Sequence, residues 1–215
     1  MCAMRSYARV DHVLERFDAL LRAATRVGAV QSRPSPGDAL PDVPLTHSQR
    51  RQAAGLMRVN HAGEVCAQAL YVGQAAWARD LHNRGALLDA AREEGDHLYW
   101  CEQRLAELDG RASRLDPLWF AASCAIGMAV AAGGDRLSLG FVEETERQVV
   151  RHLDGHLGRL PHDDLRSRAI VTTMRDDEER HANDAHGRGA APLSGVARAA
   201  MVCTARVMTT ISYWL

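Results

Sequence analysis

Apolar residues recur at helical spacing along most of this chain, and no stretch between turn signals alternates convincingly between apolar and polar residues as a half-buried strand would. The pattern predicts four long helices, over residues 46–83, 86–108, 135–160 and 163–186. Short connections join the first helix to the second and the third to the fourth. Each pair is therefore expected to form an antiparallel hairpin, with residues 109–134 as a long crossover between the two hairpins.

The crossover and the two ends of the chain carry additional apolar segments. The crossover contains an almost uncharged run from Leu118 to Gly134, which is at the lower limit of length for a membrane-spanning helix. A further apolar helix is predicted over residues 193–215. Near the other end, an amphipathic helix over residues 6–25 precedes a proline-rich linker at residues 31–45. We favour packing of that helix on the body, with membrane contact as the alternative. The predicted fold is all-α: a ferritin-like four-helix bundle with a long apolar crossover and extra N- and C-terminal helices.

Composition narrows the classes of function. A chain of 215 residues can bury a sizeable core, and we divide it into an N-terminal helix and linker (1–45) and one bundle domain (46–215). Its net charge of -1 provides no basic field for nucleic acid. All basic residues are Arg, which excludes Schiff-base and phosphate-loop lysines. The five Cys lack metal-binding spacing, which indicates reduced thiols, and no secretory signal is visible in the first 25 residues.

Two polar motifs interrupt the apolar faces of the predicted helices. Each places a Glu three residues before a His, so that both side chains share one face of a helix and can bind one ion. Each pair also follows another Glu by about 30 residues, as in the ligand sets of helical bundles that bind two metals. The candidate ligands are Glu64, Glu94, His97, Glu146, Glu178 and His181.

Helical phase distinguishes the acidic residues of the third predicted helix. Glu146 lies on its apolar stripe, whereas Glu143 and Glu144 lie off it. Four inward carboxylates could not all stay ionised without cations between them. A single Glu-x-x-His motif is common on solvent-exposed helices. Two copies, each preceded about 30 residues earlier by a further Glu on an inward face, indicate a metal site. Its oxygen-rich ligation favours iron or manganese over zinc or copper, with Glu94 and Glu178 as bridging ligands.

Three segments resemble the demethoxyubiquinone hydroxylases, which are di-iron monooxygenases of ubiquinone biosynthesis. They are residues 57–65, which include Arg-Val-Asn-His-Ala-Gly-Glu, and the motifs at 93–97 and 175–181. The resemblance extends from about Leu56 to the C-terminus. It implies two iron ions per chain, held by the same six candidate ligands.

The resemblance also assigns a role to His152 as a hydrogen-bonding residue near the metals. Helical spacing from Glu146 does not reproduce that role, so an ordinary surface histidine is the alternative. Some relatives have Tyr in the next position, where this chain has Leu153. An electron relay through that phenol is therefore in doubt here.

The activity implied by the resemblance is O2-dependent hydroxylation of the ring of a polyprenylated demethoxyubiquinol. The partners would be this quinol, O2 and an electron donor. Because no GxGxxG fingerprint is present, the reductant must bind transiently or act through the quinol or a partner. The apolar segments 118–134 and 193–215 would rest on the membrane, or else form core and oligomer contacts. We expect a peripheral protein at the cytoplasmic face of a bacterial cell membrane, and a homo-oligomer or a ubiquinone-biosynthesis complex remains open.

Two other classes of protein share the ligand pattern. One is a ferroxidase or peroxidase of the ferritin or rubrerythrin type, which would have a polar surface and no need for an apolar crossover. The other is a non-catalytic helical interaction protein that merely binds iron. Metal analysis and an oxidised-protein spectrum would test for two coupled irons.

Overall fold

The computed structural model describes residues 31–215, and within that range it contains six α-helices and no strand. The helices are α1 (His47–Trp77), α2 (Leu81–Glu107), α3 (Asp116–Ala132), α4 (Asp135–Leu157), α5 (Leu165–Gly187) and α6 (Gly195–Trp214). The predicted all-α class is confirmed for this part of the chain. The helix predicted over residues 6–25 lies outside the described residues, and the domain division at residue 45 stays a prediction.

The helices form two hairpins that pack against each other. Helices α1 and α2 form the first and α4 and α5 the second, with α2 against α5 and α1 against α4. The crossover helix α3 lies along α1, and α6 packs on α1 and α4. Thr46 caps α1 in a capping box with Gln49. This arrangement is consistent with a ferritin-like bundle with extra helices.

The turn of the first hairpin lies earlier than predicted. The first helix ends at Trp77, not at Asn83, and the second helix begins at Leu81. Asp80 caps the second helix by accepting a hydrogen bond from the backbone N–H of Asn83 at 2.9 Å. The backbone N–H groups of Arg79 and Asp80 donate to the carboxylate of Asp135 at 3.0 and 2.8 Å. A side chain from α4 therefore fixes the end of α1, and local sequence patterns do not reveal that contact.

Small residues let α3 approach α1 closely. A Cβ atom on Gly127 would lie 2.5 Å from the carbonyl oxygen of Leu70, and one on Gly73 would lie 2.4 Å from that of Cys124. Both positions therefore require glycine for the backbones to meet. The opposite side of α3 leaves large apolar side chains such as Leu118 exposed. In the described part of the chain, no helix has the length and hydropathy needed to cross a membrane.

Two apolar clusters surround the middle of the bundle. One cluster includes Trp100, Leu153 and Met174, and the other includes Val72 and Leu139. Along each of the four bundle helices, the predicted metal ligands lie between the residues of these two clusters. Burying one such side chain contributes roughly 1.5–3 kcal/mol, which helps to offset the cost of placing charges between them.

The linker runs along α2 and α5 and is anchored by arginines. The Arg104 side chain donates to Asp42 at 3.1 Å and to Asp164 at 2.9 Å. Arg166 donates to the backbone carbonyl of Leu40 at 2.9 Å. These contacts fix the segment before α1 against the second and fifth helices.

Candidate metal centre

The six predicted ligands come together inside the bundle, and none is more than 6% exposed. Helix α1 contributes one of them, α2 two, α4 one and α5 two. In that order they are Glu64, then Glu94 and His97, then Glu146, then Glu178 and His181. Residues far apart in sequence thus share one water-excluded site.

The half of the site around His97 is the more compact. Its Nδ1 atom lies 3.0 Å from Glu94 Oε2, 3.2 Å from Glu178 Oε1 and 3.3 Å from Glu64 Oε2. One ligand atom from each of these four residues lies within 4.8 Å of the others. Three carboxylates and one imidazole at such separations can hold a metal ion.

The other half is built around His181. Its Nδ1 atom lies 3.1 Å from Glu178 Oε2 and 3.3 Å from Glu94 Oε1. Glu94 and Glu178 each therefore direct one oxygen to each histidine, as the two oxygens of a bridging carboxylate would. Glu146 accepts a hydrogen bond from the Tyr71 hydroxyl at 2.5 Å through Oε1. Its Oε2 is buried without a hydrogen-bond partner among the described residues, and a cation there would satisfy it.

The charges in the metal-free chain are balanced by protons. Burial raises the pKa of Glu64 and of Glu146, and neighbouring carboxylates add to the effect. Burial opposes the charged form of Glu94 too, but the contacts with His181 and His97 outweigh it and hold its pKa below the usual range. Burial opposes the charged form of both histidines, but hydrogen bonds with Asp177 and Glu178 outweigh it and raise the pKa of His97. Hydrogen bonds with Glu178 and Glu93 likewise raise the pKa of His181. Metal ions would have to displace these protons, so metal uptake would release protons and weaken in acid.

Two outer carboxylates hold the far sides of the histidine rings. His97 Nε2 lies 3.0 Å from Asp177 Oδ2, and His181 Nε2 lies 2.9 Å from Glu93 Oε2. Arg180 contacts both acids, at 3.0 Å from Asp177 and 2.7 Å from Glu93. A proton on Nε2 would leave each Nδ1 free for a metal. Sequence reasoning missed these partners, although an acidic residue directly before each motif Glu is a signal that could have found them.

The helical phase predicted for α4 is confirmed. Glu146 is buried, while the side chains of Glu143 and Glu144 are partly exposed, at 18% and 17%. Glu143 pairs with Arg147 at 2.9 Å, and Glu144 accepts from Gln148 at 2.8 Å. Both acids thus belong to a network of polar contacts near the surface.

His152 lies in a cavity between α1, α4 and α6. The cavity has a volume of about 450 Å³, and none of its lining residues is one of the six ligands. The His152 ring lies 4.0 Å from that of His156, which meets Asn60 Oδ1 at 2.7 Å. Burial and Arg159 lower the pKa of His152 to about 4, and its buried Nε2 has no hydrogen-bond partner in the part of the chain described. A neutral imidazole facing a cavity differs from the ordinary surface histidine considered as the alternative.

The family model of the ubiquinone biosynthesis protein COQ7 matches residues 51–212. The chain belongs to this family. It is 53% identical to a 3-demethoxyubiquinol 3-hydroxylase of Ralstonia pickettii, over 95% of this chain and 99% of that protein. A protein of the same name from Dechloromonas aromatica is 53% identical, over 94% of this chain and 98% of its own length. Another from Xanthomonas euvesicatoria is 55% identical, over 85% of this chain and 84% of its own length. The resemblance predicted from the sequence motifs is confirmed.

Proposed function

We propose that this protein hydroxylates the ring of a polyprenylated demethoxyubiquinol, using O2 and an external reductant. The observation that carries the proposal is the buried site in which two carboxylates each face two histidines. Relatives of the chain that carry the name 3-demethoxyubiquinol 3-hydroxylase support the choice of reaction and substrate. In the balanced reaction, one oxygen atom enters a ring C–H bond, and two electrons and two protons convert the other oxygen atom to water.

The residues of the site suit two iron ions per chain. Glu94 and Glu178 would bridge the ions, Glu64 and His97 would complete one coordination sphere, and Glu146 and His181 the other. Bound iron would supply the redox chemistry that O2 activation needs. The chain's own residues set the ligand positions, and the apolar clusters on either side exclude water from the site.

The cavity beside His152 is our candidate for the place where the quinol enters the bundle on its way to the metal centre. His152 lines this cavity, and because its pKa is low its imidazole is neutral at physiological pH. Tyr213 and Trp214 of α6 also line the cavity and offer aromatic surface for the ring. His152 would therefore contact the substrate rather than the metals.

The hydroxylase is favoured over the two alternatives. A ferroxidase or peroxidase would have no use for the exposed apolar side chains on α3 and α6, which include Leu118, Ile126 and Val207. A protein that merely binds iron would have no need of a cavity with an unpartnered imidazole. Both alternatives also lack support from the names of the relatives.

The reaction can be tested with purified, iron-loaded protein. We expect a short-tailed demethoxyubiquinol to gain one hydroxyl group under ¹⁸O2 with reductant present, with one ¹⁸O atom detected in the product by mass spectrometry. The matched control omits iron loading. Oxidation of iron or consumption of peroxide without ring hydroxylation would contradict the proposal and favour the ferroxidase or peroxidase.

We further propose that the protein rests on the cytoplasmic face of a bacterial cell membrane through one stripe of α6. Val196, Val207 and Trp214 are exposed and share this stripe, since separations of eleven and seven residues turn a helix by nearly whole turns. Two exposed arginines of α6, Arg198 and Arg206, would add attraction to anionic headgroups. Such a surface binds reversibly without crossing the bilayer.

The double variant Val196→Glu, Val207→Glu should weaken sedimentation with anionic liposomes. We expect a loss of at least about tenfold, because each apolar side chain contributes roughly 1.5 kcal/mol or more when buried. The double variant Leu81→Glu, Leu165→Glu is the control, since it adds the same two charges at exposed apolar residues of α2 and α5. Iron content should be unchanged in all variants. Unaltered liposome binding would contradict this surface assignment and would favour a contact between protein chains.

A further inference from the structure

The two metal-binding motifs differ at one position that matters for their outer contacts. In the second motif, Arg180 lies directly before the histidine and joins both outer acids, Glu93 and Asp177. The corresponding residue of the first motif is Asp96. A carboxylate cannot donate the paired hydrogen bonds of a guanidinium, so the first motif lacks an arginine of its own.

The linker brings an arginine to this position. Ser32 donates to Asp96 through its backbone N–H at 2.7 Å and through its hydroxyl at 2.5 Å. The next residue, Arg33, donates from Nε to Asp96 at 3.3 Å and from one terminal nitrogen to Asp177 at 2.8 Å. Its guanidinium also lies over the Trp100 ring at 4.9 Å, and its carbonyl accepts from the Trp100 indole at 3.2 Å. Four contacts thus hold Arg33 in one orientation.

We propose that Arg33 is a positioning residue for His97. It supplies from the linker the guanidinium that the first motif lacks and holds Asp177, which in turn fixes the His97 ring through Nε2. This inference rests on the proposed metal centre. Another nitrogen of Arg33 lies 3.3 Å from His97 Nε2. If a metal were bound at Nδ1 of His97, its Nε2 would carry a proton and could not accept from Arg33. The Arg33 guanidinium and the His97 ring are then held together by Asp177, which accepts from both.

The effect should be confined to one side of the centre. Arg33 contacts Asp177, the partner of His97, whereas Glu93, the partner of His181, is held by Arg180. Asp177 would keep its contact with Arg180 if Arg33 were removed. Loss of Arg33 should therefore weaken the binding of a metal ion next to His97, while the outer contacts of His181 stay unchanged.

The test measures iron release to a chelator from the full-length, iron-loaded protein. We expect Arg33→Gln to release one of two irons about tenfold faster than the wild type, at the lower end of the 10–100-fold range typical for outer partners of metal ligands. Arg33→Lys should fall between the two proteins, because it retains the charge opposite Asp177 but not the forked donor. Arg166→Gln is the matched control, since it removes a linker contact to Leu40 without touching the centre.

Several outcomes would overturn the inference. It is wrong if Arg33→Gln releases iron at the wild-type rate. It is also wrong if Arg166→Gln releases iron as fast as Arg33→Gln and both variants have a lower melting temperature, because the effect would then be a general loss of stability. Faster release of both irons together would contradict the restriction to His97. A wild-type chain that held no iron would overturn this inference together with the metal centre. If the wild type held iron but did not hydroxylate, the proposed reaction would fail while the release rates would still decide the role of Arg33.

Discussion

Replacing Glu178 with alanine should leave the protein unable to retain either iron ion. The carboxylate of Glu178 faces His97 at 3.2 Å through one oxygen and His181 at 3.1 Å through the other. Its loss would remove one ligand from each ion. We expect affinity for both ions to fall by more than about 100-fold, beyond the loss typical of an outer partner. Metal analysis after gel filtration would measure it.

The control for this variant is Glu179→Ala. Glu179 is exposed on the same helix, one residue further along, and should retain wild-type iron content. The fold should survive in Glu178→Ala, because removing one of four clustered carboxylates relieves part of the repulsion that, after burial, raises the pKa of Glu64 and Glu146. Helical circular dichroism of the metal-free form would show this. Two tightly bound irons in Glu178→Ala would exclude Glu178 as a bridge.

The helices of the bundle could be predicted from sequence periodicity, because that pattern depends only on residues within one helix. The stripe that places Glu146 inside α4 and leaves Glu143 outside needs only the geometry of one helix. The same holds for the Glu-x-x-His spacing, which places two ligands on one face. Where a boundary depends on another helix, the sequence misleads: α1 ends at Trp77 because Asp135 accepts the backbone N–H groups that follow.

The outer contacts of the site were beyond such reasoning because they cross between hairpins. Asp177 lies on the helix of the second motif but contacts the histidine of the first motif, and Glu93 lies on the helix of the first motif but contacts the histidine of the second. Tyr71 reaches Glu146 from a different helix. Arg33 comes from a linker whose proline-rich composition predicts only irregular structure. The candidate ligands can thus be found from sequence spacing, whereas the residues that contact them from outside depend on tertiary structure.

The contrast between neighbouring acids of α4 gives the second large effect. In Glu146→Gln the side chain keeps its shape, and its remaining oxygen can still accept a hydrogen bond from Tyr71. The side chain loses its negative charge, and its N–H₂ group can take the place of the unpartnered Oε2. An amide nitrogen that carries two protons cannot bind a metal cation. Removing one partner of a buried charge interaction costs roughly 3–5 kcal/mol, so turnover should fall by at least about 100-fold.

The same substitution one turn away should have little effect. Glu143 pairs with Arg147 at 2.9 Å and with His186 at 3.2 Å near the surface, where an ion pair contributes about 1 kcal/mol or less. Glu143→Gln should therefore keep turnover within about fivefold of the wild type, and its iron content should be unchanged. Initial rates of hydroxylation at saturating substrate, normalised to iron content, would compare the two variants. Loss of turnover in Glu143→Gln with full activity in Glu146→Gln would mean that α4 presents the opposite face to the metals.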